Sequence, residues 1–104
     1  MTSMFDLSGK VAVVAGASSG LGADAARAYA EHGADVALLA RRLERLEALR
    51  EEIRETGRRA LAVRCDVTSE ESCRDTVEKV VEAYGRIDIL LNNAGVAVRG
   101  GVDT

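Results

Sequence analysis

The chain has 104 residues, 47% of them apolar and 30% charged, with a net charge of −3. That is the balance of one ordinary globular domain at most, with no apolar run near the roughly 18 residues a membrane helix needs. The slightly acidic balance argues against nucleic acid or an anionic membrane surface as a partner.

Met1 to Gly9 reads as a short polar lead-in anchored by Phe5 and Leu7, and Met1 to Lys10 lacks the basic and apolar regions of a secretory leader. Val11 to Ala15 is a continuous apolar run, the pattern of a parallel strand buried on both faces. Three glycines follow at the spacing G-x-x-x-G-x-G: Gly16, Gly20 and Gly22. Gly16 permits a sharp turn off the strand. Gly20 removes a Cβ where backbone approaches a pyrophosphate, and Gly22 lets the next helix pack close to the strand. Free N–H groups of that helix's first turn, at the positive end of its dipole, then face the phosphates.

The first helix is expected over Leu21–His32, with Leu21, Ala25, Ala28 and Tyr29 on one face and Gly33 as its stop. His32 at its end has no cysteine or second histidine with which to make a metal site, so none is expected. Val36–Ala40 is a second apolar strand. Arg42–Thr56 reads as an amphipathic helix burying Leu43, Leu46, Leu49 and Ile53. Glu47 with Arg50, Glu51 with Arg54 and Glu55 with Arg58 are i,i+3 pairs near its wet side, and Gly57 ends it. Ala60–Cys65 is a third strand. Thr68 and Glu71 suggest a capping box for a helix carrying Cys73, Val77, Val80, Val81 and Tyr84 on one stripe, stopped by Gly85. Ile87–Leu91 is a fourth strand, followed by N-N-A-G at Asn92–Gly95 and a tail, Val96–Thr104, without an element of its own. No proline or low-complexity tract marks a linker. Cys65 and Cys73 form no C-x-x-C, which fits a reducing, cytoplasmic setting better than a disulfide framework.

The order β-α-β-α-β-α-β with short joints predicts an α/β, doubly wound parallel sheet with strand order 3-2-1-4. Ligands in such sheets bind outside the carboxyl ends of the strands, where the chain reverses direction across the sheet. Gly16–Gly22, Asp66–Val67 and Asn92–Gly95 all follow strands, so they meet at one edge. About 20 residues past the glycine loop, where an acidic residue would accept from the ribose 2′-OH of NAD, the chain has Arg41 beside Arg42. Arginine offers fixed donors to a 2′-phosphate, which favours NADP over NAD; the plainer reading is that the two arginines only open a charged helix. Asp66 either accepts from an adenine amino group or is a turn aspartate assisting the helix start at Thr68. Asn92 and Asn93 are suited to tying adjacent strand ends together, and Cys73 on a helix stripe to the core.

The motifs A-G-A-S-S-G-L-G (Ala15–Gly22), C-D-V-T (Cys65–Thr68) and N-N-A-G (Asn92–Gly95) stand in one order and spacing. With them the chain resembles the N-terminal part of the classical short-chain dehydrogenase/reductases, from about Phe5 onward. That resemblance implies a Rossmann-like fold. It also implies that Gly16, Ser18, Ser19, Gly20, Leu21 and Gly22 form the pyrophosphate and adenosine-ribose loop. Arg41 then reads the 2′-phosphate, Asp66 and Val67 form the adenine pocket, and Asn93, Ala94 and Gly95 lie beside the ribose and nicotinamide half. Ala15 stands where the family usually has threonine, which would loosen a hydrogen bond near the N-N-A-G loop. The family's proton donor is the tyrosine of Y-x-x-x-K, helped by serine and asparagine. The tyrosines here are Tyr29 and Tyr84, with Gly33 and Asp88 four positions on, so no catalytic residue is assigned.

The expectation is therefore a single, truncated NAD(P)-binding domain over residues 1–104 that lacks the catalytic half. It would be the cofactor part of an NADP(H)-dependent oxidoreductase interconverting a small-molecule alcohol and carbonyl by hydride transfer, inactive by itself. The full-length form would be a cytoplasmic homo-oligomer, as the resemblance implies. The alternative is a short non-catalytic NADP(H)-binding module or sensor, and the plainest reading is an α/β domain that binds nothing. An open apolar edge at Ile87–Leu91 weighs against a complete short module.

Overall fold

The structure is a computed structural model that describes residues 6–18 and 20–93. The readings placed on Phe5, Ser19, Ala94, Gly95 and the 96–104 tail lie outside the described residues. The elements are β1 (Val11–Ala15), α1 (Gly20–Glu31), β2 (Asp35–Ala40), a 3₁₀ turn (Leu43–Leu46), α2 (Glu47–Glu55), β3 (Ala60–Arg64), α3 (Glu70–Tyr84) and β4 (Ile89–Asn92). The four strands form one parallel sheet in the order β3-β2-β1-β4, the expected Rossmann-like arrangement. Val13 stands beside Ala37 on one side and Leu90 on the other, and Leu38 beside Ala62.

Alternation along the strands divides the core between the two faces of the sheet. Ala12, Val14, Val36 and Leu38 face α1 and α2, where they pack with Ala26, Ala30, Leu46, Leu49 and Ile53. Val11, Val13, Ala15, Ala37 and Leu39 face α3 and meet Val63, Cys65 and Val80. All five residues of β1 are buried, so no position in it can be polar, which is why the run is apolar throughout rather than alternating. Each fully buried leucine or valine, such as Leu38 or Val14, contributes about 1.5–3 kcal/mol.

Two of the helices, the first and the third, are rotated from their expected faces, and in each a specific contact does it. In α1 the buried positions are Gly22, Ala26 and Ala30, whereas Leu21 is 76% exposed and Ala28 lies on the outside. A Cβ on Gly22 would stand 2.2 Å from the Gly16 carbonyl oxygen, so that glycine must face the β1 turn, and the i+4 and i+8 positions follow it. The segment after β2 does not begin as an α-helix at Arg42. It starts as the 3₁₀ turn, leaving Leu43 partly exposed while Leu46, Leu49 and Ile53 are buried as expected. The Glu47–Arg50 and Glu51–Arg54 pairs form at 2.6 and 3.6 Å, while Arg58 donates to the Gly33 carbonyl at 3.2 Å.

The expected Thr68–Glu71 capping box is displaced by one residue. Thr68 gives both its backbone N–H and its hydroxyl to Asp66 Oδ1, at 3.0 and 2.6 Å. Ser69 therefore becomes the N-cap of α3, extended at φ −109 and accepting from the Ser72 N–H. From that start, Cys73, Thr76, Val80 and Tyr84 face the sheet, and Val77 and Val81, expected on the stripe, are 48% and 43% exposed. β4 begins at Ile89 rather than Ile87 because Asp88 closes the strand pair. Its N–H donates to Val11 O, and the Val11 N–H donates to its Oδ2 at 2.8 Å.

Tyr84 anchors the far end of α3. Its hydroxyl donates to the Val36 carbonyl at 3.0 Å, and the Arg59 guanidinium lies 4.6 Å from the ring centroid. Burial, more than any neighbouring charge, pushes the hydroxyl from its ordinary 10.0 up to about 12. A folded-state value above the unfolded one means this contribution is complete below pH 10 and is lost as pH rises toward 12. The urea midpoint of the native chain is expected to fall over that window, and that of Tyr84→Phe to fall less. Parallel curves for the two proteins would show that the hydroxyl plays no part.

Candidate cofactor site

At the carboxyl ends of the strands lies a cleft of about 390 Å³. Every strand contributes to its lining: Gly16 and Ser18 after β1, Arg41 and Arg42 after β2, Asp66 and Val67 after β3, Asn93 after β4. Backbone bonds hold these ends in register. Gly16 N and Ala17 N both donate to Leu39 O at 2.9 and 3.1 Å, Cys65 N to Ala40 O at 2.9 Å, and Asn93 N to Ala15 O at 2.9 Å. The last of these ties the β4 loop to β1 through main chain, so Ala15 needs no hydroxyl to make that link.

The turn at Gly16 has φ +78, a left-handed conformation that a side chain would strain. Gly20 differs from Gly22. A Cβ built on Gly20 meets nothing within 4 Å, so nothing among the described residues requires glycine there. The first turn of α1 carries no acidic residue, leaving the positive end of its dipole without a carboxylate of its own. Gly20, Leu21 and Gly22 do not line the cleft: Gly20 and Leu21 are exposed and Gly22 is buried.

Arg41 and Arg42 both line the cleft, and so does Arg45, which the sequence reading did not single out. Side chains three apart eclipse in a 3₁₀ turn. Arg42 caps such a turn, and the Arg45 N–H donates to its carbonyl at 3.1 Å, so the two arginines share one side. Elsewhere Arg27, Arg50, Arg54, Arg59 and Arg86 are each paired with a carboxylate. Arg41, Arg42 and Arg45 have no carboxylate at ion-pair distance among the described residues.

Across the cleft, the Thr68 hydroxyl and then its backbone N–H hold the Asp66 carboxyl below the usual carboxylate range, with Arg41 and Arg64 adding to this. Asp66 Oδ1 takes both Thr68 bonds, as in the turn reading of this residue. Oδ2 has no hydrogen bond among the described residues, so an acceptor remains on the cleft wall. Cys65 and Thr68 also line the cleft. No group of three or more metal-ligating side chains occurs among the described residues, and no described helix is long and apolar enough to cross a membrane.

A glycine turn, an unopposed helix N-terminus and strand-end loops meeting at the reversal point are features of a doubly wound, Rossmann-like α/β sheet. A family model described as short chain dehydrogenase matches residues 10–103, and the chain belongs to that family of oxidoreductases. It is 41% identical over 92 residues to an 11-beta-hydroxysteroid dehydrogenase of Pinus massoniana, a match covering 88% of this chain and 26% of that protein. A metagenomic short-chain oxidoreductase solved in complex with NADP superposes with a TM-score of 0.82 at 45% identity, over 88% of this chain and 41% of that one. An NAD+-bound xylitol dehydrogenase gives a TM-score of 0.83 at 44% identity, over 86% of this chain and 35% of that one. The chain thus spans well under half the length of these relatives.

Proposed function

We propose that the chain is the NADP(H)-binding part of an oxidoreductase that interconverts a small-molecule alcohol and its carbonyl. The observation that carries this is the set of three cleft arginines without carboxylate partners, at the end of the strand where a 2′-phosphate would lie. The three side chains are exposed on the cleft rim, so a phosphomonoester there gains charge-assisted, bidentate hydrogen bonds without first breaking an ion pair, and that phosphate is what distinguishes NADP from NAD. Similar solved structures carry both nucleotides, NADP in one and NAD+ in another, so the arginines rather than the fold support the preference.

In this reading Gly16, Ser18 and the N-terminus of α1 hold the pyrophosphate, Arg41 with Arg42 and Arg45 the 2′-phosphate, and Asp66 and Val67 the adenine. Asn93 lies on the nicotinamide side. Ser19, Ala94 and Gly95 belong to the same assignment by position in the motifs. The bound nucleotide supplies the hydride chemistry, and this chain's residues bind and orient it. The Tyr84 hydroxyl is engaged with Val36 at the start of β2, the opposite end of the sheet from the cleft. Tyr84 is therefore not assigned as the acid or base, and the chain alone is expected to be inactive.

Fluorescence titration with NADPH and NADH tests this. The native chain should bind NADPH more tightly than NADH. Gly20→Val should lose both while keeping its urea midpoint, because the added side chain meets open space within the protein. Equal affinity of Gly20→Val and the native chain would sink the assignment.

A further inference from the structure

Behind the wall of the cleft, two thiols share one apolar cavity of about 60 Å³, lined also by Val67 and Thr76. Cys65 is the first residue after β3 and is 3% exposed, and Cys73 sits in the first turns of α3, partly buried. Both pack in the core between the sheet and α3. Both thiols line the same small cavity, and Cys73 Sγ donates to the Val67 carbonyl, two residues from Cys65, at 3.8 Å. Neither is in a disulfide. The segment they bracket supplies Asp66, Val67 and Thr68 to the cleft.

We propose that Cys65 and Cys73 form a reversible dithiol/disulfide pair that sets nucleotide affinity from behind the cleft. The co-reactant is a peroxide. The Cys73 thiolate attacks a peroxide oxygen, the O–O bond breaks, and a sulfenic acid forms with release of hydroxide. The Cys65 thiolate then attacks Cys73 Sγ, the S–S bond forms, and the second hydroxide leaves. With the two thiol protons, one hydrogen peroxide is reduced to two waters while two thiols are oxidised to one disulfide. Burial first, and then the neighbouring Cys65 thiol, with Asp66 and Glu70, push the Cys73 thiol up. A raised thiol is a slower nucleophile at neutral pH, so the disulfide is expected to form faster as pH rises.

The consequence for the cleft follows from the hydrogen bonds. A disulfide holds its sulfurs at about 2.05 Å, closer than unbonded thiols approach, so the bond draws the start of α3 toward the end of β3. It also removes the S–H that Val67 accepts. Asp66 N donates to Ser72 Oγ at 3.0 Å, and Ser69 N donates to Asp66 O at 3.0 Å. Movement of the first turn of α3 is thus passed to the turn that lines the cleft. The effect on affinity rests on the nucleotide reading above, whereas the bond itself does not.

The test is to treat the native chain with hydrogen peroxide and to measure its intact mass without reductant, its iodoacetamide-reactive thiols and its NADPH affinity. The expected result is loss of two hydrogens, no reactive thiol, and roughly fivefold weaker NADPH binding, all reversed by dithiothreitol. Cys73→Ser and, separately, Cys65→Ala should show neither the mass change nor the weakening. Oxygen adducts without a disulfide overturn the proposal, as does a disulfide that leaves affinity unchanged. A reduced chain that binds no NADPH overturns the nucleotide reading and the affinity half of this proposal together, and the mass then decides the bond.

Discussion

Gly22→Ala is expected to lower the unfolding free energy by about 3 kcal/mol, at the upper end of the usual cost of overpacking. The added Cβ would lie 2.2 Å from Gly16 O, 2.9 Å from Gly16 C and 3.1 Å from Ala17 Cα. These are main-chain atoms, so no rotamer change relieves the clash. Nor can the turn withdraw. Gly16 is fixed at φ +78, and it and Ala17 both donate to Leu39 O, so retreat breaks the link between the β1 turn and β2. Moving α1 instead lifts Ala26 and Ala30 from the sheet, where they are 0% and 4% exposed. The urea midpoint reads the loss directly. A midpoint within error of the native chain's would mean that the close approach of α1 to β1 is not what fixes the helix. Nucleotide affinity should fall with stability here, in contrast to Gly20→Val, which separates the two.

Arg41→Ala is expected to weaken NADPH binding by roughly tenfold to a hundredfold, the equivalent of one charge-assisted hydrogen-bonding group at ~1.5–3 kcal/mol. NADH, without the 2′-phosphate, should be nearly unaffected. Arg42→Ala and Arg45→Ala should act in the same direction. Their effects will not sum with that of Arg41→Ala, because neighbouring groups on one phosphate are coupled. Arg54→Ala, whose partner is Glu51 on the outer face of α2, is the control and should change neither affinity. If Arg41→Ala weakens NADPH and NADH equally, the residue steers the whole dinucleotide and does not read the phosphate.

The strands were legible because the physics acting on them is local. A strand buried on both faces must be apolar at every position, and β1 is found over Val11–Ala15 as expected. The same holds for the turn glycines and the convergence of loops at one edge, since connection order alone sets the topology. Helix rotation was not legible. Ala25, Ala26, Ala28 and Ala30 are equivalent to any periodicity argument, and only the contact of Gly22 with the β1 turn, remote from those alanines, separates the buried ones from the exposed.

The start of α3 was misread for a different reason. Thr68 and Ser69 are both good caps, and the choice fell to Ser69 because Asp66 had already taken Thr68. Arg45 was missed because on an α-helix starting at Arg42 it reads as one more charge of the wet face, whereas the chain there is a 3₁₀ turn over Leu43–Leu46 and Arg45 lines the cleft beside Arg42. In each case the deciding interaction joins side chains or elements whose pairing the sequence pattern does not encode.

The main-chain links between neighbouring strand ends have a thermodynamic consequence. The cleft has no wall that belongs to one element alone. Its shape depends on β1, β2, β3 and β4 being assembled in register, and an unfolded chain has no cleft at all. Ligand occupancy and the integrity of the sheet are therefore one equilibrium. A ligand at a hundredfold excess over its Kd adds about 2.7 kcal/mol to the folded state, comparable to burying another leucine. On the proposed function, the concentration of nucleotide would thus set how much protein stays folded, as well as how much is loaded.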